Sequence, residues 1–300
     1  MVSLIVNSKL SLKNQEFNQE TVRALWLKGI DRLKECSISD SSLESELLLR
    51  RALGFSKSDF YSSLRDIVPE NERLLVEQLI QRRMSGEPTS YILGCKEFYG
   101  IEFCVSKGVL IPRPETELLV DLSLNKIKDG FLIADIGTGS GCIAISIATH
   151  SRNLKIIAVD KSIEALRVAR KNLTRYGMIE TIDLINADLL TSFRPGLKFD
   201  LIVSNPPYIP VNIYRRLSQE IKYEPDIALN GGLDGLEIIR CLVWQANALL
   251  SDRGRLLFEV FSECSSEAVN LTSELMPGAK ITIHNDLLGL PRVIEVTKLS

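Results

Sequence analysis

From Phe131 onward the chain alternates short apolar runs with longer amphipathic stretches, and this alternation restricts the fold more than any other feature. The runs fall at Phe131–Ile136, Lys155–Asp160, Thr181–Asn186, Phe199–Ser204, Gly254–Val260, Lys280–His284 and Arg292–Thr297. Strands separated by helix-length connections cannot pair as tight hairpins. They lie parallel, with helices covering both faces, which predicts an α/β doubly wound sheet. Only seven residues, 285–291, join the last two runs. That is too short for a right-handed crossover, so one of these two strands is expected to be antiparallel.

Open sheets of this kind bind ligands at the C-terminal ends of their strands, and the chemistry of this chain is concentrated there. The first run continues as Ala134-Asp135-Ile136-Gly137-Thr138-Gly139-Ser140-Gly141-Cys142 directly into a predicted helix. Glycines at 137, 139 and 141 let the backbone turn tightly and approach a ligand where a Cβ would collide. Cys142 stands where a dinucleotide fingerprint requires glycine, and no Gly-Lys-Ser or Gly-Lys-Thr follows, so neither a pyrophosphate loop nor a P-loop fits. With Asp135 two residues ahead of the first glycine, the loop better suits a ligand carrying an ammonium group. Asp160, 23 residues after Gly137, closes the second run and can take both hydroxyls of a ribose. Asp188, followed by Leu189 and Leu190, is expected to close the third; it can accept from an adenine amine while the leucines pack on the ring. Singly, each aspartate reads as a helix cap or turn former. Jointly, beside the glycine loop, they favour S-adenosylmethionine over NAD, with Asp135, Gly137, Thr138, Gly139, Ser140, Gly141, Asp160, Asp188, Leu189 and Asn205 as the cofactor-binding set.

The fourth run stops on Asn205-Pro206-Pro207-Tyr208. Successive prolines hold the backbone extended and donate no N–H, leaving the carbonyls here available to a ligand. Asn205 adds a side-chain carbonyl and Tyr208 a flat π-face. The four residues suit a planar NH₂ group held on two acceptors beneath an aromatic ring. Asn205, Pro206 and Tyr208 are the candidate catalytic residues, and Pro207 joins them as substrate-binding.

The rest of the chain contributes no competing chemistry. Six cysteines without C-x-x-C pairing fit reduced, mostly buried thiols in a cytoplasmic protein rather than a disulfide framework or zinc site. With His150 and His284 the only histidines, no metal site is expected. A net charge of −2 and a pI near 5.9, with no evident Lys/Arg cluster, disfavour direct sequence-specific binding of nucleic acid. No apolar run reaches the length of a membrane span, and Val2–Val6 is too short for a signal sequence.

Before the sheet, apolar residues recur at helical spacing from Gln19 to Gly86, picking out Leu25, Ile30 and Leu33, then Leu43, Leu47 and Leu49, then Leu74, Leu75, Leu79 and Ile80. Residues 1–89 are read as a helical bundle, for packing or for clamping a macromolecular substrate. Residues 90–110 alternate around Gly94, Gly100 and Gly108 and are read as a β-hairpin linker. Residues 111–300 form the sheet domain.

The glycine loop, Asp160 and Asn205-Pro206-Pro207-Tyr208 together resemble class I methyltransferases that modify planar amino groups. Further segments are similar to the release factor glutamine methyltransferases, the PrmC/HemK family. They are Ser85-Gly86-Glu87-Pro88, Tyr91-Ile92-Leu93-Gly94, Glu97-Phe98-Tyr99-Gly100, Leu110 to Glu117 (Leu-Ile-Pro-Arg-Pro-Glu-Thr-Glu), Tyr223-Glu224-Pro225, Ala228 to Gly232 and Asp234-Gly235. Ala187, Phe261-Ser262 and Gly289 to Arg292 depart from the family pattern. The resemblance implies a Rossmann-like seven-stranded sheet and transfer of a methyl group from S-adenosylmethionine to the glutamine side-chain amide in the Gly-Gly-Gln motif of peptide chain release factors. The alternative is N6-methylation of adenine in DNA or RNA, since an exocyclic base amine meets the same acceptors.

Overall fold

The computed structural model describes residues 20–299, so Val2–Val6 and Gln19 lie outside the described residues. The chain divides into two compact units, one ending at Leu93 and one beginning at Gly94.

The first unit is helical: α1 (Val22–Glu35), α2 (Ser41–Leu53), α3 (Lys57–Ser62), α4 (Glu70–Met84) and α5 (Thr89–Leu93). Thr21 opens α1 by accepting from the Ala24 N–H at 3.2 Å, and Ser56 with Asp59 forms a capping box at α3. Gly54, in the left-handed region at φ +67°, ends α2. Leu33, Leu48, Leu49 and Phe60 are fully buried in its core. The expected helical periods are present but not every expected face is buried: Leu43 and Leu74 are more than half exposed, and the buried stripe of α4 is Val76, Leu79, Ile80 and Arg83. That i, i+3, i+4, i+7 stripe leaves Leu74 and Leu75 on the far side.

The second unit opens with an antiparallel hairpin of β1 (Cys95–Phe98) and β2 (Ile101–Cys104), narrower than the expected 90–110 span. Its first residues are helical instead, α5 being stopped by Gly94 at φ +78°. Tyr99 and Gly100, both at positive φ, make the two-residue turn whose twist matches paired strands.

The sheet contains β3 (Leu132–Ile136), β4 (Lys155–Asp160), β5 (Ile182–Asn186), β6 (Phe199–Ser204), β7 (Leu250–Glu259), β8 (Lys280–Asn285) and β9 (Pro291–Thr297), in the order β5-β4-β3-β6-β7-β9-β8. The first five are parallel, and β9 is antiparallel to both β7 and β8. β7 starts four residues before the expected Gly254 because a register shift opposite Phe199 and Leu201 lets the strand enter earlier. Strand residues alternate between two cores. Ile133, Leu201, Val203 and Leu257 pack against α6 (Glu117–Leu124) and α7 (Cys142–His150). Ala134, Ile136, Ile202 and Phe258 pack against α10 (Glu237–Leu249) and α11 (Ser265–Leu275). Helices on both faces explain why these runs are apolar throughout. The remaining helices are α8 (Ile163–Arg175) and the short α9 (Val211–Tyr214).

The strand order reverses between β3 and β6, where Ile136 pairs with Ser204. The glycine loop and Asn205 therefore leave the sheet side by side. Among the described residues no helix is long and apolar enough to cross a membrane, and no group of three or more His, Cys, Asp or Glu is placed to hold a metal. The six cysteines are free thiols, but the expectation that most are buried is corrected: only Cys142 is, and Cys36 and Cys241 are exposed.

Candidate active site

Two cavities meet at the strand-order reversal. One, a cleft, is walled by Gly137, Thr138, Gly139, Ser140, Asp160, Asp188, Leu189, Asn205 and Pro207, among others. The other is lined by Pro206, Tyr208, Phe261 and Arg292. Leu110, Arg113, Asn205 and Ala228 line both. Asn205 thus stands where the two cavities meet.

The loop after β3 is shaped by its glycines. Gly137 and Gly139 lie at φ +72° and +57°, and Gly137 and Thr138 both donate to the Val159 carbonyl, at 2.8 and 3.0 Å. Asp160 fixes the loop from the neighbouring strand: Oδ2 accepts from the Gly139 N–H at 2.9 Å and Oδ1 from the Ser162 N–H at 2.8 Å. Each carboxylate oxygen keeps a second acceptor site. Burial raises the Asp160 pKa against the pull of these amides.

Two members of the expected cofactor set do not line the cleft. Asp135 is fully buried behind the loop, one oxygen accepting from the Thr138 hydroxyl at 2.6 Å and the other making no hydrogen bond of normal geometry. Burial pushes its pKa up to about 7, opposed by the Thr138 hydroxyl and the Ala144 amide. Gly141 opens α7 at φ +81° and faces Ile145, Ala169 and Leu173. At the far end Asp188 pairs with Lys161 at 2.6 Å, two residues beyond the strand it was expected to close. Leu189 reaches the wall with φ +52°, an uncommon conformation for a bulky side chain. Leu190, expected beside it on the ring, points into the core.

The Asn205 to Tyr208 segment is held by groups that sequence reading did not single out for this role. The Asn205 Nδ2 donates to Thr116 Oγ1 at 3.0 Å, and Thr116 Oγ1 donates to Glu259 Oε2 at 2.7 Å. The Tyr208 hydroxyl donates to Glu259 Oε1, also at 2.7 Å. Burial raises the Glu259 pKa, against the two hydroxyls and the Arg292 charge, and burial together with Glu259 lifts that of Tyr208 well above the ordinary phenol value. Phe261 stacks near-parallel on Tyr208, with centroids 6.4 Å apart. No local pattern could have flagged Glu259, which reads as one more residue in an apolar strand.

Arg113 donates to Glu224, whose Oε2 also accepts from the Ile111 N–H at 2.9 Å. That ion pair ties the Arg-Pro-Glu segment to Tyr223-Glu224-Pro225 across the mouth. Glu117 faces away from both cavities, accepting from the Tyr99 N–H at 2.8 Å at the hairpin turn. Asn230-Gly231-Gly232 abuts the Tyr208 backbone: Gly231 donates to the Ile209 carbonyl at 2.9 Å, and Ile209 to that of Leu229 at 3.0 Å. Separately, the fold gathers Lys107, Arg167, Arg170 and Lys171 around one surface groove beside Gly108, together with Glu164, which pairs with Arg167, a mainly cationic cluster not visible as a run in the sequence.

The chain is similar to known proteins along most of its length. Residues 24–94 match the PrmC N-terminal domain, and residues 114–219 the Methyltransferase small domain. A release factor glutamine methyltransferase from Nitratidesulfovibrio vulgaris is 35% identical over 277 residues, covering 91% of this chain and 94% of that one. One from Geobacter sulfurreducens is 37% identical over 238 residues, covering 78% and 81%. Among solved structures, a methyltransferase from Pyrococcus furiosus matches with a TM-score of 0.51 at 19% identity, over 68% of this chain and 92% of that one, which bears on the fold alone. The seven-stranded sheet is the Rossmann-like class I methyltransferase sheet. With more than a third of residues identical to a relative matched over nearly its whole length, the chain belongs to the release factor glutamine methyltransferase family.

Proposed function

We propose that this protein transfers a methyl group from S-adenosylmethionine to the side-chain amide nitrogen (N5) of the glutamine in the Gly-Gly-Gln motif of peptide chain release factors, a cytoplasmic modification of the translation termination machinery. The observation that carries the reading is Asn205 standing between the two cavities. One cavity suits a nucleoside cofactor and the other a small planar group.

The cleft fits the cofactor on its own chemistry. Backbone at Gly137 and Gly139 is bare enough for close approach, and Asp160 retains acceptor sites for ribose hydroxyls. Asp188 and Leu189 border the adenine end. Asp135 supports the loop from behind, so no direct contact with the cofactor is assigned to it. When bound, S-adenosylmethionine supplies a methyl group already activated by its sulfonium.

A carboxamide nitrogen is a poor nucleophile, so positioning must supply much of the rate. The Asn205 amide turns its nitrogen to Thr116 and donates one N–H there, which leaves Oδ1 to accept one hydrogen of the incoming amide. The Pro206 carbonyl accepts the other, and Tyr208 and Pro207 confine the amide plane. That both cavities are lined by residues between Gly108 and Arg292 supports locating the chemistry in the 111–300 domain and the end of the 90–110 linker, and leaving the 1–89 bundle for substrate recognition.

The basic groove keeps the adenine reading in play as the competing outcome. Labelled S-adenosylmethionine offered with a release factor, with the same factor carrying Gln→Ala in its Gly-Gly-Gln motif, and with adenine-containing RNA and DNA separates the two. Label on the first alone is expected; label on nucleic acid alone overturns the reading.

A further inference from the structure

We propose that Thr116 and Glu259 are positioning residues that fix which face of the Asn205 amide meets the substrate and that lock the Tyr208 ring to the same anchor. This deepens the proposed methyl transfer and rests on it for its kinetic test. The oxygen and nitrogen ends of an asparagine amide are alike in size, so only a partner can decide which way they point. Here the partner has one hydrogen, and it is spent: Thr116 Oγ1 donates to Glu259 Oε2 at 2.7 Å. What Thr116 offers Asn205 is therefore a lone pair, which accepts from Nδ2 at 3.0 Å and would repel Oδ1. The remaining carboxylate oxygen of Glu259 takes the Tyr208 hydroxyl at 2.7 Å. A single buried acid, 1% exposed, thus orders both ends of the Asn205 to Tyr208 segment through two hydroxyls.

Packing alone does not call for this arrangement. Placing a carboxylate in the interior is costly, and apolar residues of like volume commonly do as well or better for stability. A relay that orients a reactive-site amide gives the acid a reason to be there.

The test compares Thr116→Val, Thr116→Ser and Glu259→Gln with wild type. Valine keeps the volume and removes the hydroxyl, and kcat for release factor methylation is expected to fall about 10- to 100-fold, the scale of a misplaced reacting group. S-adenosylmethionine affinity should stay near wild type in the same variant, while the melting temperature falls by a few degrees because the buried Glu259 loses a donor and Asn205 an acceptor. Serine should recover most of the loss. Glu259→Gln presents an NH₂ to one of its two hydroxyl donors and should also lower kcat. A folded, cofactor-binding Thr116→Val with wild-type kcat overturns the proposal, as does a Thr116→Ser no better than valine. A second readout is independent of turnover: the Asn205 side-chain NH₂ resonances, assigned by their loss in Asn205→Ala, should shift and exchange faster with water in Thr116→Val. If wild type methylates no release factor but these resonances respond as expected, the functional reading fails while the relay stands. Unmoved resonances overturn the relay whatever the activity.

Discussion

Gly231 lies so close to Tyr208 that a Cβ built on it would sit 2.7 Å from the Tyr208 Cα. The obstructing atoms are backbone, including the Gly235 carbonyl at 2.8 Å, so no side chain can swing aside. Gly231→Ala should therefore displace the Asn205 to Tyr208 segment, costing about 1–3 kcal/mol of stability as overpacking does. In steady-state kinetics kcat should fall with little change in KM for S-adenosylmethionine; an unaltered kcat would show that Tyr208 is not held by this contact.

Asp160 bonds the Gly139 and Ser162 amides and faces the cleft. Asp160→Ala removes the loop anchor together with the proposed ribose acceptor. Loss of hydrogen bonds to a charged group is worth about 1.5–3 kcal/mol each. Calorimetric affinity for S-adenosylmethionine should drop at least about tenfold, and undiminished affinity would move the ribose elsewhere.

Asp135 gives a pH prediction with a definite sign. Its folded pKa, pushed from 3.8 up to about 7 by burial, lies above its unfolded value. The folded state therefore holds the proton more tightly, and the stability this contributes is complete below about pH 4 and lost as pH rises through about 7. In wild type this one group tilts stability downward across that window. Asp135→Asn, which cannot ionise, should flatten the difference in denaturation midpoint between pH 4 and pH 7. A slope identical to wild type would mean that Asp135 titrates as it does in the unfolded chain.

Gly29 tests the packing of the helical unit. Replacing a mid-helix glycine by alanine ordinarily stabilises by about 1 kcal/mol. Here the new Cβ would lie 2.3 Å from the Ser45 hydroxyl oxygen, which is itself donating to the Trp26 carbonyl at 3.0 Å. The clash should win, and Gly29→Ala should lower the melting temperature rather than raise it.

The sheet was legible because each buried parallel strand is an apolar run, and several such runs give way to a polar residue at the edge where ligands bind. Asp160 and Asn205 could be placed from sequence for that reason. Faces were harder to read. The buried side of α2 carries the small residues Ser41 and Ser45, the latter meeting Gly29, while Leu43 points to solvent. Hydrophobicity alone misjudges such an interface. Thr116 and Glu259 escaped because their meaning is a contact across 143 residues of chain, and the basic groove because its cations are assembled by α8 and the residues after β2. Asp135 shows the converse: a motif position fixes where a residue lies along the strand but not which side of the loop its carboxylate serves.

The most direct measurement is the mass of the Gly-Gly-Gln peptide from a release factor incubated with this protein and S-adenosylmethionine. The account predicts a gain of one methyl located on the glutamine side chain, abolished by Asn205→Ala while that variant still binds the cofactor. An unmodified glutamine peptide, or a gain that survives Asn205→Ala, would contradict it.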